Sequence, residues 1–169
     1  RNAYIDLFCG PGRLKIRNTT RCVPGSPVVA WNNSVECGAP FSEIYISDTD
    51  DKRRGVCAER LRRLGAPVVE IAGNALEAAT SVVAQVDPHG LHFAFIDPYN
   101  LSELRLELLG TLATVKRMDM MVHLSAMHLF RNFDKNVAGE LQEFDAFAPG
   151  WRDKVRPDMT RDEQRRAAI

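Results

Sequence analysis

Asp6-Leu7-Phe8-Cys9-Gly10-Pro11-Gly12 follows a short apolar run and sets an acid ahead of a turn that contains two glycines. Glycine lets the backbone approach a ligand that a β-carbon would push away, and the acid is suited to accept a hydrogen bond from an amino or cationic group. Asp48 and Thr49 follow a second apolar run, where a carboxylate is placed to meet the two hydroxyls of a ribose. Asn74 and Ala75 follow a third, where a side-chain amide can meet the amine of an adenine. Asp97-Pro98-Tyr99-Asn100 follows a fourth; an acid there can orient or deprotonate a nucleophile, and a tyrosine ring can stack on a planar substrate. Each segment also has a plain structural use. Asp48 or Asp50 can charge a helix N-terminus, Asn74 can cap one, and Pro98 can set a bend that Asn100 or Ser102 then caps.

The elements that would carry these residues alternate along the chain. Ala3 to Phe8, Glu43 to Ile46, Pro67 to Ile71, His92 to Ile96 and Met118 to Leu124 read as strands. Between them, helices are expected over Ser26 to Glu36, Asp50 to Leu64, Ala75 to Val86 and Ser102 to Val115, with Ser26 as an N-cap ahead of Pro27. Five alternations argue for an α/β fold, a mostly parallel Rossmann-like sheet with helices on both faces. In such a sheet ligands bind beyond the carboxyl ends of the strands where strand order reverses, which is where the four segments fall. Arg13 to Gly25 reads as a long exposed basic loop, with Arg13, Lys15, Arg17 and Arg21 and no acid. After Ser125 the pattern becomes helical, over Met127 to Arg131 and Asn136 to Phe147, and ends in a polar helix opened by Thr160 and Glu163. The expected division is a cofactor-binding domain over 1–131 and a helical extension over 132–169.

Composition narrows the classes. The 169 residues carry 22 basic and 22 acidic side chains, so no global charge draws the chain to nucleic acid or an anionic membrane. No apolar run is long enough to span a bilayer and no signal-peptide pattern opens the chain. Cys9, Cys22, Cys37 and Cys57 form no C-x-x-C pair and read as free thiols of a reducing cytoplasm. His123 and His128 are too isolated to ligate a metal, so no metal is expected. Arg131 is a candidate clamp for a substrate anion, Lys52 to Arg63 form a basic set on one helix, and Trp31 and Trp151 read as packing residues. The chain opens at Arg1 and enters a strand within three residues, which suggests a partial or processed chain.

Two comparisons select the ligand. A dinucleotide needs a helix N-terminus directly after the glycine turn to receive its pyrophosphate, yet the helix starts only at Ser26 and Lys15 stands where a third glycine belongs. S-adenosylmethionine has no phosphate and tolerates that gap. Asp97-Pro98-Tyr99 also resembles the D/N-P-P-Y/F segment of methyltransferases that act on nucleobase amines, without its second proline.

Taken together, YIDLFCGPGR over Tyr4 to Arg13, Gly25-Ser26-Pro27, YISDTD over Tyr45 to Asp50, and FIDPY over Phe95 to Tyr99 resemble the motif series of the three-Cys-motif partner protein family. The resemblance spans about Tyr4 to Arg131. It implies a class I methyltransferase-like fold, S-adenosylmethionine as cofactor and a partner protein bearing a three-cysteine motif. It also makes the long basic loop before Gly25 a family trait. Asn100 stands where that series has Gly, and Asn74 where Asp is common. The residues expected at the cofactor are thus Asp6, Phe8, Cys9, Gly10, Pro11, Gly12, Asp48, Thr49, Asn74 and Ala75. Asp97 and Tyr99 are expected at the chemistry, and Pro98, Asn100 and Arg131 at the substrate, for which nucleic acid is the leading class. A non-catalytic binding subunit of the same fold and a nicotinamide-dependent oxidoreductase are the alternatives.

Overall fold

The structure, a computed structural model, describes residues 1–168, and the side chains among them other than those of 126, 128 and 129. The chain runs β1 (Asn2–Asp6), β2 (Arg13–Lys15), β3 (Cys22–Pro24), α1 (Ser26–Glu36), β4 (Glu43–Ile46), α2 (Asp51–Arg63), β5 (Val68–Glu70), α3 (Ala75–Val83) and β6 (Leu91–Ile96). A 3-10 turn (Leu101–Glu103), α4 (Leu106–Ala113), β7 (Met118–Val122), α5 (Ala126–Val137), α6 (Glu143–Phe147), α7 (Trp151–Lys154) and α8 (Arg161–Ala167) follow.

Five strands form one parallel sheet in the order β5-β4-β1-β6-β7. The chain moves outward from β1 through β4 to β5, then returns to the other side of β1 as β6 and β7, so strand order reverses beside β1. This is a Rossmann-like α/β fold. Side chains alternate across β1. Tyr4 points to a core built with Val28 and Trp31 of α1, Ile44 and Ile46 of β4, and Cys57, Ala58 and Leu61 of α2. Ala3 and Ile5 lie on the opposite face, also buried. Fully burying a side chain such as Ile44 or Leu61 contributes about 1.5–3 kcal/mol, so this cluster fixes α1 and α2 on the sheet. The Trp31 indole donates to the Leu64 carbonyl at 3.0 Å, which satisfies its one polar atom and ties α1 to the end of α2.

Several local expectations change. The basic stretch is not irregular: β2 and β3 pair antiparallel, with Arg13 opposite Pro24, Leu14 opposite Val23 and Lys15 opposite Cys22. The N-cap of α1 is Gly25, with Ser26 and Pro27 already helical. Ser102 does not open a helix to Val115. It lies in the 3-10 turn, which Asn100 caps, and α4 begins only at Leu106. The helix expected from Asn136 is instead the end of α5, and the chain turns at Gly139 (φ +79°) before α6. Thr160 and Glu163 form the expected capping box on α8.

The chain forms two compact units, one of Arg1–Asp97 with Gly110–Val122, the other of Pro98–Leu109 with His123–Ile169. The partition differs from a cut at 131/132, because the stretch after β6 belongs with the C-terminal helices. The second unit is built on aromatic packing: Phe133, Phe144 and Trp151 meet with ring centroids 5.3–6.1 Å apart. Arg152 stacks on Trp151 and pairs with Asp145, which also accepts the Trp151 indole N–H at 2.8 Å. That guanidinium holds the Asp145 carboxyl below the ordinary carboxylate range.

Two glycines of the first unit should respond oppositely to alanine. At Gly25 a Cβ would stand 3.0 Å from the Gly12 carbonyl carbon, a backbone atom that cannot move aside. Gly25→Ala is expected to lower the unfolding free energy by about 1–3 kcal/mol through overpacking. Gly55 lies inside α2 with nothing within 4 Å of its Cβ position, so Gly55→Ala is expected to raise it by about 0.5–1 kcal/mol. Denaturant unfolding of the two variants against the wild type checks both signs.

Candidate functional site

The site is assembled at the carboxyl ends of β4, β1 and β6. Asp6 pairs in register with Ile46 on one side and Phe95 on the other. Asp48 and Asp97 each follow those partners by two residues, so the register aligns three carboxylates along one edge at the reversal of strand order. That is the crevice position of an open α/β sheet.

Asp6 is the buried member, 1% exposed. Its Oδ2 accepts the Tyr4 hydroxyl at 3.1 Å and the Ser26 hydroxyl at 2.6 Å, and its Oδ1 accepts the Phe8 amide at 3.1 Å. Burial raises the carboxyl, the three donors offset part of the rise and the neighbouring Asp97 charge adds to it, leaving it pushed up to about 6. The Tyr4 phenol is pushed well above its ordinary value, by burial first and by Asp6 next. Asp6 therefore does not face a ligand, as the sequence suggested; it is the internal clamp of the loop.

The loop is also tied through its middle. The Cys9 amide donates to the Ser47 carbonyl at 3.0 Å, and the Gly10 amide to Asp48 Oδ2 at 3.0 Å. Gly10 takes φ +54° with nothing within 4 Å of its Cβ position, so the space beside it is free, while its amide is held by Asp48 and its carbonyl accepts the Cys9 thiol. Gly12, at φ +68°, is buried against Cys57 and Val28. The Cys9 thiol packs on Cys57, whose contact raises its pKa, with burial adding to the effect; both are buried free thiols. Phe8 and Pro11 are half-buried in the same loop.

The residues between Gly12 and Gly25 are an excursion. The Gly25 amide donates to the Gly12 carbonyl at 2.9 Å, which closes the base of the β2–β3 hairpin. Helix α1 starts at Ser26 as expected, but the gap in sequence is not a gap in space: its N-terminus stands at the glycine loop. The case against a pyrophosphate consequently rests on other groups. Pro27 removes one first-turn donor, and the Asp6 carboxylate already lies on the Ser26 hydroxyl at the positive end of the helix.

Asp48 is half-buried. Oδ2 holds Gly10 and Oδ1 accepts the Asp50 amide at 2.8 Å, leaving each oxygen a further lone pair. Asp50, not Asp48, caps α2, and Thr49 is exposed. Asn74 caps α3, with its side-chain oxygen accepting Leu76 and Glu77 amides and Glu77 closing a capping box; Ala75 opens the helix. Asp97 is exposed at the end of β6. Ser47, which sequence reasoning passed over, has a buried hydroxyl with no partner among the described residues. Nothing in its residue type could have signalled this, because it depends on strand register.

Pro98, Tyr99, Asn100 and Arg131 belong to the second unit. Tyr99 is 94% exposed, and Asn100 accepts the Glu103 amide and the Ser102 hydroxyl. A shallow depression is lined by Pro98, Tyr99, Asn100, Leu101, His123 and Ser125. Arg131 is exposed on α5, and the His128 side chain lies outside those described. Among the described residues, no group of three His, Cys, Asp or Glu is placed to hold a metal ion, and no helix is long and apolar enough to cross a membrane.

No protein-family model, curated protein or solved structure matches this chain.

The Asp6 clamp has a pH signature. A carboxyl near 6 in the fold and 3.8 otherwise binds more protons folded than unfolded between those values, so its contribution to stability falls as pH rises through that window and is level above it. The unfolding free energy of the wild type minus that of Asp6→Asn is expected to fall by about 3 kcal/mol from about pH 4 to about pH 6. Denaturant melts across that range check it. A difference that rises with pH would mean that the carboxylate is stabilised, not strained, by its surroundings.

Proposed function

We propose that the protein is an S-adenosylmethionine-dependent methyltransferase with a nucleic-acid acceptor. One observation carries the reading: an open left-handed glycine loop bordered by Asp48 and Asp97 at the point where strand order reverses. An edge lined with carboxylates suits a ligand with a positive centre and free hydroxyls and repels a phosphate.

The residues present fit the cofactor. Gly10 leaves free space beside the loop, Asp48 has lone pairs left for ribose hydroxyls, and the orphaned Ser47 hydroxyl is the kind of buried group that a ligand or water completes. Phe8 to Gly12, Asp48 and Thr49 would hold the group, with Asn74 offering its side-chain amide N–H groups while its oxygen caps α3. When bound, the cofactor supplies an electrophilic methyl on a sulfonium. Asp97 accepts a hydrogen bond from the acceptor amine, orients its lone pair and takes the proton it loses. The exposed Tyr99 ring offers a face on which a base can stack. The resemblance to the three-Cys-motif partner series adds a protein partner bearing that motif.

A second reading, a non-catalytic binding subunit, is favoured by the two departures from that series. Asn74 and Asn100 both commit their side-chain oxygens to local caps. Calorimetric titration with adenosylmethionine is expected to show one site, weakened tenfold or more in Asp48→Ala, since a hydrogen bond to a charged group is worth about 1.5–3 kcal/mol. Mass spectrometry of DNA and RNA incubated with protein and cofactor should then show a methyl gain that Asp97→Ala abolishes. Binding without transfer selects the second reading, and absence of binding removes the enzyme reading.

A further inference from the structure

The cations of the sequence separate into two populations once their partners are known. On α2, Arg53 pairs with Asp50, Arg54 with Asp51 and Arg62 with Glu70. Those side chains are largely a neutralised, solvated face, each exposed pair contributing little. The hairpin differs. Between Asp6 and Glu36 the chain has four cations, Arg13, Lys15, Arg17 and Arg21, and no acid. Among the described residues none of the four makes an ion pair, and all are exposed. Register puts Arg13 and Lys15 on one face of the ribbon, with Pro24 and Cys22, and Leu14 with Val23 on the other.

The Arg13 and Pro24 face looks onto a surface cavity of about 300 Å³, lined also by Gly12, Val28, Arg60, Arg63 and Leu64. Its floor is apolar and its rim carries three guanidinium groups. Arg60 donates to the Pro11 carbonyl, which fixes it at the rim and keeps its charge unneutralised; Arg63 pairs with Glu59. We propose that this cavity and the adjoining ribbon face bind the sugar–phosphate backbone of a nucleic acid. Planar guanidinium groups bind phosphate in bidentate fashion, and a two-stranded ribbon is of a size to follow a duplex groove. Val28, Leu64 and Pro24 offer apolar contact to sugar. The surface deepens the function proposed above and rests on it only in choosing nucleic acid among polyanions. It needs neither cofactor nor methyl transfer to operate.

The test is fluorescence anisotropy of a labelled DNA duplex and single strand with the whole protein, without cofactor, over about 50–200 mM salt. Binding is expected in the micromolar range, weakening steeply with salt. Arg13→Glu combined with Lys15→Glu is expected to weaken it by about tenfold or more and to lower the log–log salt slope by about 1–2, as fewer counterions are released. Lys116→Glu, in the loop before β7 at the opposite edge of the sheet, should change neither quantity, and an unaltered far-ultraviolet circular dichroism spectrum confirms that the hairpin variant is folded. Binding that persists in Asp48→Ala while methyl transfer is lost separates this surface from the cofactor edge. The proposal is overturned by absence of salt-dependent binding, by wild-type affinity in the double variant, or by a polyglutamate chain that binds as tightly as DNA.

Discussion

The Asp6 carboxylate is the joint on which the first unit depends. It closes β1, receives the first loop amide through Phe8, and reaches the first residue of α1 through the Ser26 hydroxyl. A charge taken out of water is costly unless it is hydrogen-bonded. Three donors offset part of that cost here, and they come from the strand, the loop and the helix. The three elements are thereby held together by one group. The open conformation of Gly10 follows from this, because the loop is fixed at its start by Asp6 and in its middle by Asp48.

The same clamp lets the chain carry an insertion. Gly12 and Gly25 touch, so the twelve intervening residues leave and return at one point without moving α1 from the sheet. Charge is segregated as a result. Carboxylates line the strand ends, while the unpaired cations of the hairpin lie beyond Gly12. A net charge of zero conceals this arrangement, since it sums two surfaces of opposite sign.

Much of the fold is legible in the sequence. Short apolar runs and well-placed helix starts give the five sheet strands and α1 to α3 to within a few residues, because local propensity and burial agree there. The capping box at Thr160 is likewise a local device. The hairpin escaped notice because Leu14, Ile16 and Val23 are exposed and so leave no burial pattern. The Ser102 helix failed because Asn100 caps a 3-10 turn first. At the site, residue type identified Asp6, Gly10, Asp48 and Asp97, but direction was not readable. Whether a carboxylate faces inward or outward depends on strand register and on a hydroxyl 20 residues away in the chain, neither of which a motif encodes. For the same reason the sequence placed the start of α1 far from the loop, when hydrogen bonding brings it back.

The central claim is that the edge formed by the glycine loop and Asp48 is the ligand site of the fold. Hydrogen–deuterium exchange with and without adenosylmethionine tests it most directly. The account predicts slowed exchange at the amides of Phe8 to Gly12 and Ser47 to Asp50, with the hairpin from Arg13 to Pro24 unchanged. Unaltered exchange in both segments at saturating cofactor, or slowing confined to other parts of the chain, would contradict it.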